Sequence, residues 1–302
     1  MSRLAAAKSA VAAPDAFAAL ELLKPITWFP PMWAFGCGIV SATGNHSVSW
    51  WMIALGVVLC GPLVCGTSQA VNDWFDRHVD ALNEPQRPIP SGRLPGLWGL
   101  YIACAWTALS LVAAVPFGAF GLGATVVGLA LAWAYSAPPL RLKRNGWWGN
   151  SAVAVCYEGL PWVTGYTVVT GSVPPVPVLL LAGLYSFGCH GIMTLNDFKS
   201  VAGDLRMGIG SLPARLGPER AARVACVMMA LPQVVVIGLL LHWGLPRHAI
   251  GVCALLAAQL VAMRKLLGDP RALAPWYNGT GITLYVLGML LCGFALRLLV
   301  PA

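Results

Sequence analysis

The chain has 302 residues, of which 58% are hydrophobic and 10% charged, and its net charge is +8. A water-facing domain of this size would carry about 25% charged residues, so a soluble globular fold is excluded. Long apolar stretches recur without the alternation of a lipid-facing barrel strand, which leaves an all-α integral membrane protein. In chain order, residues 1–24 read as a cytosolic N-terminal tail with an amphipathic surface segment. Lys8 interrupts any apolar core that a signal peptide would need. Residues 25–302 read as one membrane domain. Its nine predicted spans are residues 25–42, 50–71, 97–116, 119–136, 149–170, 177–195, 222–243, 246–263 and 278–298. Nine cysteines, from Cys37 to Cys292, are scattered singly with no CxxC pair. They read as packing residues rather than a disulfide or zinc framework.

Charge placement gives the topology. The tail and the loops after spans 2, 4, 6 and 8 carry 16 of the 19 Lys and Arg residues, with Arg223 at the same edge and only Arg247 and Arg297 opposite. That bias places the tail and the even-numbered loops in the cytoplasm and, with nine spans, the C-terminus in the periplasm. The positive charge is therefore a topology signal and not a nucleic-acid surface.

The loop after span 2 reads Asn72-Asp73-Trp74-Phe75-Asp76-Arg77-His78-Val79-Asp80. On a helix, the i, i+3, i+7 spacing of Asp73, Asp76 and Asp80 puts three carboxylates on one face, and Asn72 adds an amide oxygen. Like charges so placed repel each other. A cation resolves the conflict, and all-oxygen donors suit Mg²⁺. The loop after span 6 repeats the Asn-Asp-aromatic opening at Asn196-Asp197-Phe198 and adds Asp204. Two acidic helix ends on one side of a bundle can hold Mg²⁺ and a diphosphate between them. Basic, Pro-rich stretches follow at 83–93 and 135–144. Arg87 and Lys143 are the leading candidates for contact with the diphosphate, ahead of Arg141 and Arg144.

These motifs resemble the UbiA-type intramembrane prenyltransferases, over a region from about residue 20 to the C-terminus. Further marks point to the branch of chlorophyll synthases and, more closely, bacteriochlorophyll synthases. They are the stretch 22–33, Asn83 to Gly92, Leu142-Lys143-Arg144-Asn145-Gly146-Trp147, and Met207-Gly208-Ile209-Gly210-Ser211-Leu212-Pro213. The resemblance implies nine helices around a central cavity open to the cytoplasmic side and to lipid. It implies a Mg²⁺-dependent enzyme in a bacterial inner, intracytoplasmic or chromatophore membrane, using one or two ions with Mn²⁺ as substitute. Such an enzyme esterifies bacteriochlorophyllide with geranylgeranyl diphosphate or phytyl diphosphate, and pigment-assembly proteins are candidate partners. Relatives often carry Glu where this chain has Ala202, so no ligand is placed there.

On this reading Asn72, Asp73, Asp76 and Asp80 bind one ion, and Asp197 and Asp204 another. Asp76, Asp80, Arg87 and Lys143 are the catalytic group, with Asn72, Arg141, Asn196 and Lys199 completing the ligand shell. The acceptor carboxylate is ionised near neutral pH and needs no strong base. Glu158, inside span 5, is a weaker functional candidate. His190 reads as a packing residue ahead of a ligand for the pigment's metal, and Trp28 and Trp33 as possible lining of a pigment cavity. A quinone- or haem O-forming prenyltransferase is the alternative within the superfamily. A secondary transporter is the alternative from another class, disfavoured because the acids gather at helix ends.

Overall fold

The computed structural model describes residues 14–42 and 49–299, so Arg3 and Lys8 of the predicted tail lie outside the described residues. Every regular element among them is helical. Helix α1 (Ala16–Leu22) is capped by Asp15, whose carboxylate accepts from the Phe17 amide at 3.0 Å. After α2 (Phe29–Ala42), α3 (Trp50–Val58) runs through a π-helical segment, Leu59–Cys65, into α4 (Gly66–Asn83). Then come α5 (Trp98–Ala114) and α6 (Gly118–Ser136). Helix α7 (Gly146–Ala154) passes through a second π-helical segment, Val155–Gly159, into α8 (Leu160–Thr170). The rest comprises α9 (Val176–Asn196), the short α10 (Val201–Met207) and α11 (Leu212–Leu216), and the long α12 (Pro218–His242), α13 (Pro246–Leu266) and α14 (Pro270–Leu296).

Both π-helical segments sit at a proline. Pro62 lies inside the first and Pro161 just beyond the second. Each lacks the N–H that would bond the carbonyl four residues earlier, and a wider turn absorbs the defect.

Among the described residues, six helical segments are long and apolar enough to cross a membrane: Trp50–Asn83, Trp98–Ser136, Val176–Lys199, Pro218–His242, Pro246–Leu266 and Pro270–Leu296. The 39-residue segment Trp98–Ser136 would extend about 58 Å as one straight helix. Instead it turns at Val115–Phe117 and at Gly118, whose φ of 69° suits only glycine, and α6 folds back on α5. The Trp133 indole donates to Thr107 Oγ1 at 3.1 Å across that hairpin.

Large apolar side chains point outward along the bundle, among them Trp50, Val112, Ile250 and Val261, as a lipid-facing surface requires. Inside, small residues bring helices into backbone contact. A Cβ on Gly38 would stand 2.1 Å from the Trp162 carbonyl oxygen, and one on Gly165 would stand 2.1 Å from that of Phe35. Only glycine at both positions allows α2 and α8 to approach this closely.

The larger core joins α2, α8, α9, α12, α13 and α14 around Trp162, Tyr185, Tyr277 and Tyr285. The Gln259 amide donates to the Tyr277 hydroxyl at 3.0 Å and accepts from Gln233 at 2.7 Å, tying α12, α13 and α14 together. A smaller core holds Ala18, Leu22 and Leu23 against Ala70 and Val71 of α4 and Ile102 and Ala103 of α5. Residues 16–23 are therefore packed into the bundle, and the predicted boundary between tail and membrane domain at residue 25 cuts through that core. The cause is an i, i+4 apolar pair, Ala18 and Leu22, on a helix too short to register as a span.

Candidate active site

The bundle encloses a cavity of about 750 Å³, walled by α4 and α6 on one side and by α7, α9 and α10 on the other. One end is polar. Asn72, Asp76 and Asp80 line it from α4, and Asn196, Asp197, Lys199 and Asp204 from the opposite wall. Arg87 and Lys143 reach in from the loops after α4 and α6. The other end is apolar, built from Val64, Gly128, Leu131, Ala132 and Val153 among others.

Helical geometry sorts the α4 acids. Positions 72, 76 and 80 drift by about 40° per step, since four residues turn about 400°. They therefore form one gently winding stripe, and all three line the cavity. Asp73 belongs to the sector of Asp80 but lies about 10 Å deeper along the axis. There it is 2% exposed, accepts from Lys24 Nζ at 2.6 Å and from Arg87 at 3.2 Å, and does not line the cavity. The expected three-carboxylate face thus splits. Asp73 is an internal counter-ion, while Asp76 and Asp80 face the cavity beside Asn72.

The cavity acids on α4 are neutralised from the loops. Lys143 donates to Asp76 Oδ2 at 2.5 Å and Arg141 to its Oδ1 at 3.4 Å. Arg87 donates to Asp80 at 2.9 Å and also pairs with Glu84. Lys24 and Arg141 both hold left-handed backbone, with φ of 47° and 39°. That conformation costs of order 1–3 kcal/mol at a non-glycine residue and concentrates at functional sites. Arg141 is not part of the cavity wall; it supports Asp76 from behind.

The second wall carries neutral partners instead. Asp197 accepts from the Asn150 amide at 3.2 Å. Asp204 accepts from Ser211 at 2.6 Å and Ser200 at 3.2 Å. Burial pushes the Asp204 carboxyl above the usual carboxylate range; the two hydroxyls oppose that rise and the charge of Asp76 adds to it. Burial likewise holds Lys143 below the usual lysine range, against the pull of Asp76. Asn72 donates to Ser136 at 3.2 Å, and Asn196 accepts from Asn278 at 2.9 Å, so both motif asparagines are fixed in place.

The two loops are stitched together: the Gly146 amide donates to the Gly210 carbonyl and the Gly210 amide to that of Arg144, both at 2.9 Å. This bridge carries Lys143 and Ser211 to the same end of the cavity. Asn150, Ser200 and Ser211 join the site, and Lys24 supports it from outside the cavity through Asp73; the sequence reading marks none of the four as a candidate. Asn150 has a legible signal, as the one amide side chain in the predicted span 149–170. Lys24 had none, because its partner lies 49 residues away.

The donor set fits a divalent cation. Carboxylates on facing walls share one cavity, and among the described residues no basic side chain is bonded to the pair on the second wall. Hard oxygen donors of this kind suit Mg²⁺ or a similar ion. No three His, Cys, Asp or Glu side chains among the described residues gather closely enough to enclose an ion alone. The remaining coordination would have to come from the anionic ligand itself.

The other singled-out residues lie elsewhere. Glu158 is 2% exposed in the second π-helical segment and faces the helix core rather than the cavity. His190 is buried with its ring 5.1 Å from that of Trp147, also off the cavity wall. Trp28 and Trp33 donate to the Leu23 and Val286 carbonyls and pack between helices. All nine cysteines are free.

Residues 28–278 match the model of the UbiA prenyltransferase family. This chain belongs to that family. It is 59% identical over 284 residues to the bacteriochlorophyll synthase 33 kDa chain of Cereibacter sphaeroides, covering 94% of each chain. It is 44% identical to the bacteriochlorophyll synthase 34 kDa chain of Chloroflexus aurantiacus, covering 92% of this chain and 89% of that one. The fold matches a UbiA homologue of Archaeoglobus fulgidus solved with GPP and Mg²⁺ bound, at a TM-score of 0.67 and 19% identity, over 93% of this chain and 99% of that one. The chain is an integral membrane prenyltransferase, and the transporter alternative falls away.

Proposed function

We propose that this enzyme transfers a geranylgeranyl or phytyl group from its diphosphate to the propionate carboxylate of bacteriochlorophyllide. The observation that carries the reading is the two-ended cavity, with facing acidic walls at one end and an apolar channel at the other. An isoprenoid diphosphate has the same polarity along its length. The relatives named as bacteriochlorophyll synthases supply the acceptor.

Asn72, Asp76 and Asp80 on α4, with Asp197 and Asp204 opposite, would hold Mg²⁺, one ion or two. When bound, the metal offsets the charge that builds on the departing diphosphate. Arg87 and Lys143 point donors at the same place and stabilise that charge directly. Asn196 and Lys199 bound the pocket beside them. As the allylic C–O bond breaks, its electron pair leaves with the diphosphate. A lone pair of the acceptor carboxylate forms the new C–O bond. The products are ester and diphosphate, with no net proton transfer, so no residue is needed as a strong base. The apolar walls keep water from the allylic carbon.

We read the bundle as crossing the membrane nine times. Helices α5 and α6 supply one crossing each, and α2 and the continuous α7–α8 rod add two to the remaining long segments. The Lys- and Arg-rich loops then face the cytoplasm, so the diphosphate end opens on that side of a bacterial inner membrane.

The test uses purified enzyme with bacteriochlorophyllide and geranylgeranyl diphosphate, assayed by mass spectrometry for the ester. Asp76→Asn is expected to insert normally and to lose ester formation by about 100-fold or more, the scale of one lost electrostatic group. Turnover equal to wild type would remove Asp76 from the centre and with it the orientation of the donor.

A further inference from the structure

The reaction as described holds the leaving group but gives the acceptor carboxylate no partner, and the cavity wall offers one. Along α4 and the π-helical segment before it, the lining side chains change character in order. Asp80, Asp76 and Asn72 belong to the metal end, Gln69, Ser68 and Cys65 come next, and Val64 and Cys60 lead into the apolar end. Gln69 lies about 4.5 Å along the helix beyond Asn72. On the donor reading above, that is where the diphosphate stops and the prenyl chain starts. Tyr157 lines the same cavity from the second π-helical segment. The Gln69 amide donates to the Tyr157 hydroxyl at 3.3 Å, and Cys65 Sγ lies 3.4 Å from that hydroxyl.

The polar side chains near this step can be sorted by what their hydrogens already do. Ser68 donates its hydroxyl to the Cys65 carbonyl and Thr27 to that of Lys24, both at 2.8 Å. Asn72 donates to Ser136. Tyr135 belongs to the metal end, in the field of Asp197, Asp76 and Asp204. That leaves Gln69 and Tyr157, whose donors meet each other and a thiol, a weak acceptor, instead of a backbone carbonyl. Among the described residues, the cations of the wall all stand with the acids. Arg87 and Lys143 are bonded to Asp80 and Asp76, and Lys199 and Arg206 follow Asp197 and Asp204 by two residues.

This chemistry suits a nucleophilic carboxylate. Neutral N–H and O–H donors orient an anion without pairing off its charge, as a lysine would, so its lone pair stays available for attack. The metal end is closed to it, because Asp197 and Asp204 repel a further anion. Resting on the esterification reading above, we infer that Gln69 and Tyr157 form the acceptor subsite, donating hydrogen bonds to one oxygen of the acceptor's propionate. Tyr157 exchanges its weak thiol contact for a charged acceptor. The other carboxylate oxygen forms the new bond to the allylic carbon. The old C–O bond breaks, and its electron pair leaves with the diphosphate.

The test compares equilibrium binding of bacteriochlorophyllide and of its propionate methyl ester to purified enzyme with Mg²⁺, titrated by the pigment's absorption. The methyl ester keeps the macrocycle and loses the charge. Wild type is expected to favour the acid by about tenfold or more, the scale of one hydrogen bond to a charged group. Gln69→Leu should bind the two forms alike and raise the KM for bacteriochlorophyllide by about tenfold. Its KM for geranylgeranyl diphosphate should stay unchanged, which also shows that the variant is folded. Tyr157→Phe removes a single oxygen atom and should lose part of the acid preference; it decides the matter alone where Gln69→Leu does not insert. Wild-type acid preference in every variant that inserts, or a raised donor KM in place of the acceptor KM, would overturn the subsite. Wild-type enzyme that makes the ester yet favours neither pigment form would do the same. Wild-type enzyme that binds neither form and makes no ester would overturn the functional reading, and the subsite with it.

Discussion

Asp73 and Asp76 are three residues apart and carry the same group, yet they meet different environments. Asp73 is buried against Lys24 and Arg87, whose side chains are about one quarter exposed. Asp73→Asn leaves those cations without their partner. The expected loss is about 2 kcal/mol of stability, less than the ~3–5 kcal/mol of a fully buried pair because water still reaches the cations. The Mg²⁺ concentration giving half-maximal activity is expected to stay unchanged, since Asp73 does not reach the cavity. Asp76→Asn should do the reverse. Thermal melts in detergent and Mg²⁺ titrations separate the two, and a raised Mg²⁺ requirement in Asp73→Asn would return that residue to the metal site. Lys143 allows a pH test. Its burial favours the neutral amine, so its proton is lost at a lower pH than that of a solvated lysine. Donor binding needs the ammonium form. The KM for the prenyl diphosphate should therefore rise as pH climbs toward the lysine range, and Lys143→Arg, which stays charged, should flatten that limb. An alkaline limb of the same shape in both enzymes would assign it to another group.

At the scale of elements, α1 shows what the sequence hides. Seven residues are too few to cross a bilayer, and the stretch reads as a tail. Its apolar pair packs nonetheless against α4 and α5, and the bidentate Arg93–Glu21 pair pins it at 2.5 and 2.9 Å. Lys24 follows directly and is thereby aimed at Asp73. Leu22 is fully buried, so Leu22→Ala should cost about 2–5 kcal/mol. It should also loosen the Lys24–Asp73 pair. A melting temperature equal to wild type would show that α1 merely rests on the bundle. The long spans, the two acidic motifs and their shared side were legible because each rests on local signals: apolar length, Asp spacing and loop charge. Asn72, Asp76, Asp80, Asp197 and Asp204 do line one cavity. What was not legible depends on distant pairing. The strand-like bridge between Asn145 and Gly210, the Lys24 contact and the wider turns at Pro62 and Pro161 need the packed bundle to exist. The i, i+3, i+7 rule grouped Asp73 with Asp76 and Asp80 but was blind to what packs around α4: Asn72, one residue earlier, lines the cavity, whereas Asp73 meets Lys24 and Arg87.

For the molecule as a whole, the decisive asymmetry is electrostatic. One wall of the cavity brings its own cations, Arg87 and Lys143, already paired with Asp80 and Asp76. The other brings Asp197 and Asp204 with only amide and hydroxyl partners. A diphosphate entering between them would meet carboxylates with no bonded cation among the described residues, and like charges in a partly dry cavity repel strongly. Divalent metal and diphosphate should therefore bind together or not at all. Inorganic pyrophosphate provides the test, since it has the charged head and no tail. Alone, it should leave the melting temperature of the chelator-treated enzyme unchanged. Together with Mg²⁺ it should stabilise the fold by about 3 kcal/mol once it exceeds its dissociation constant 100-fold. The gain should vanish in a double variant, Asp197→Asn with Asp204→Asn, where the repulsion and the donors disappear together. Pyrophosphate that stabilised the metal-free enzyme equally would mean that Arg87 and Lys143 suffice and that the second wall serves another purpose.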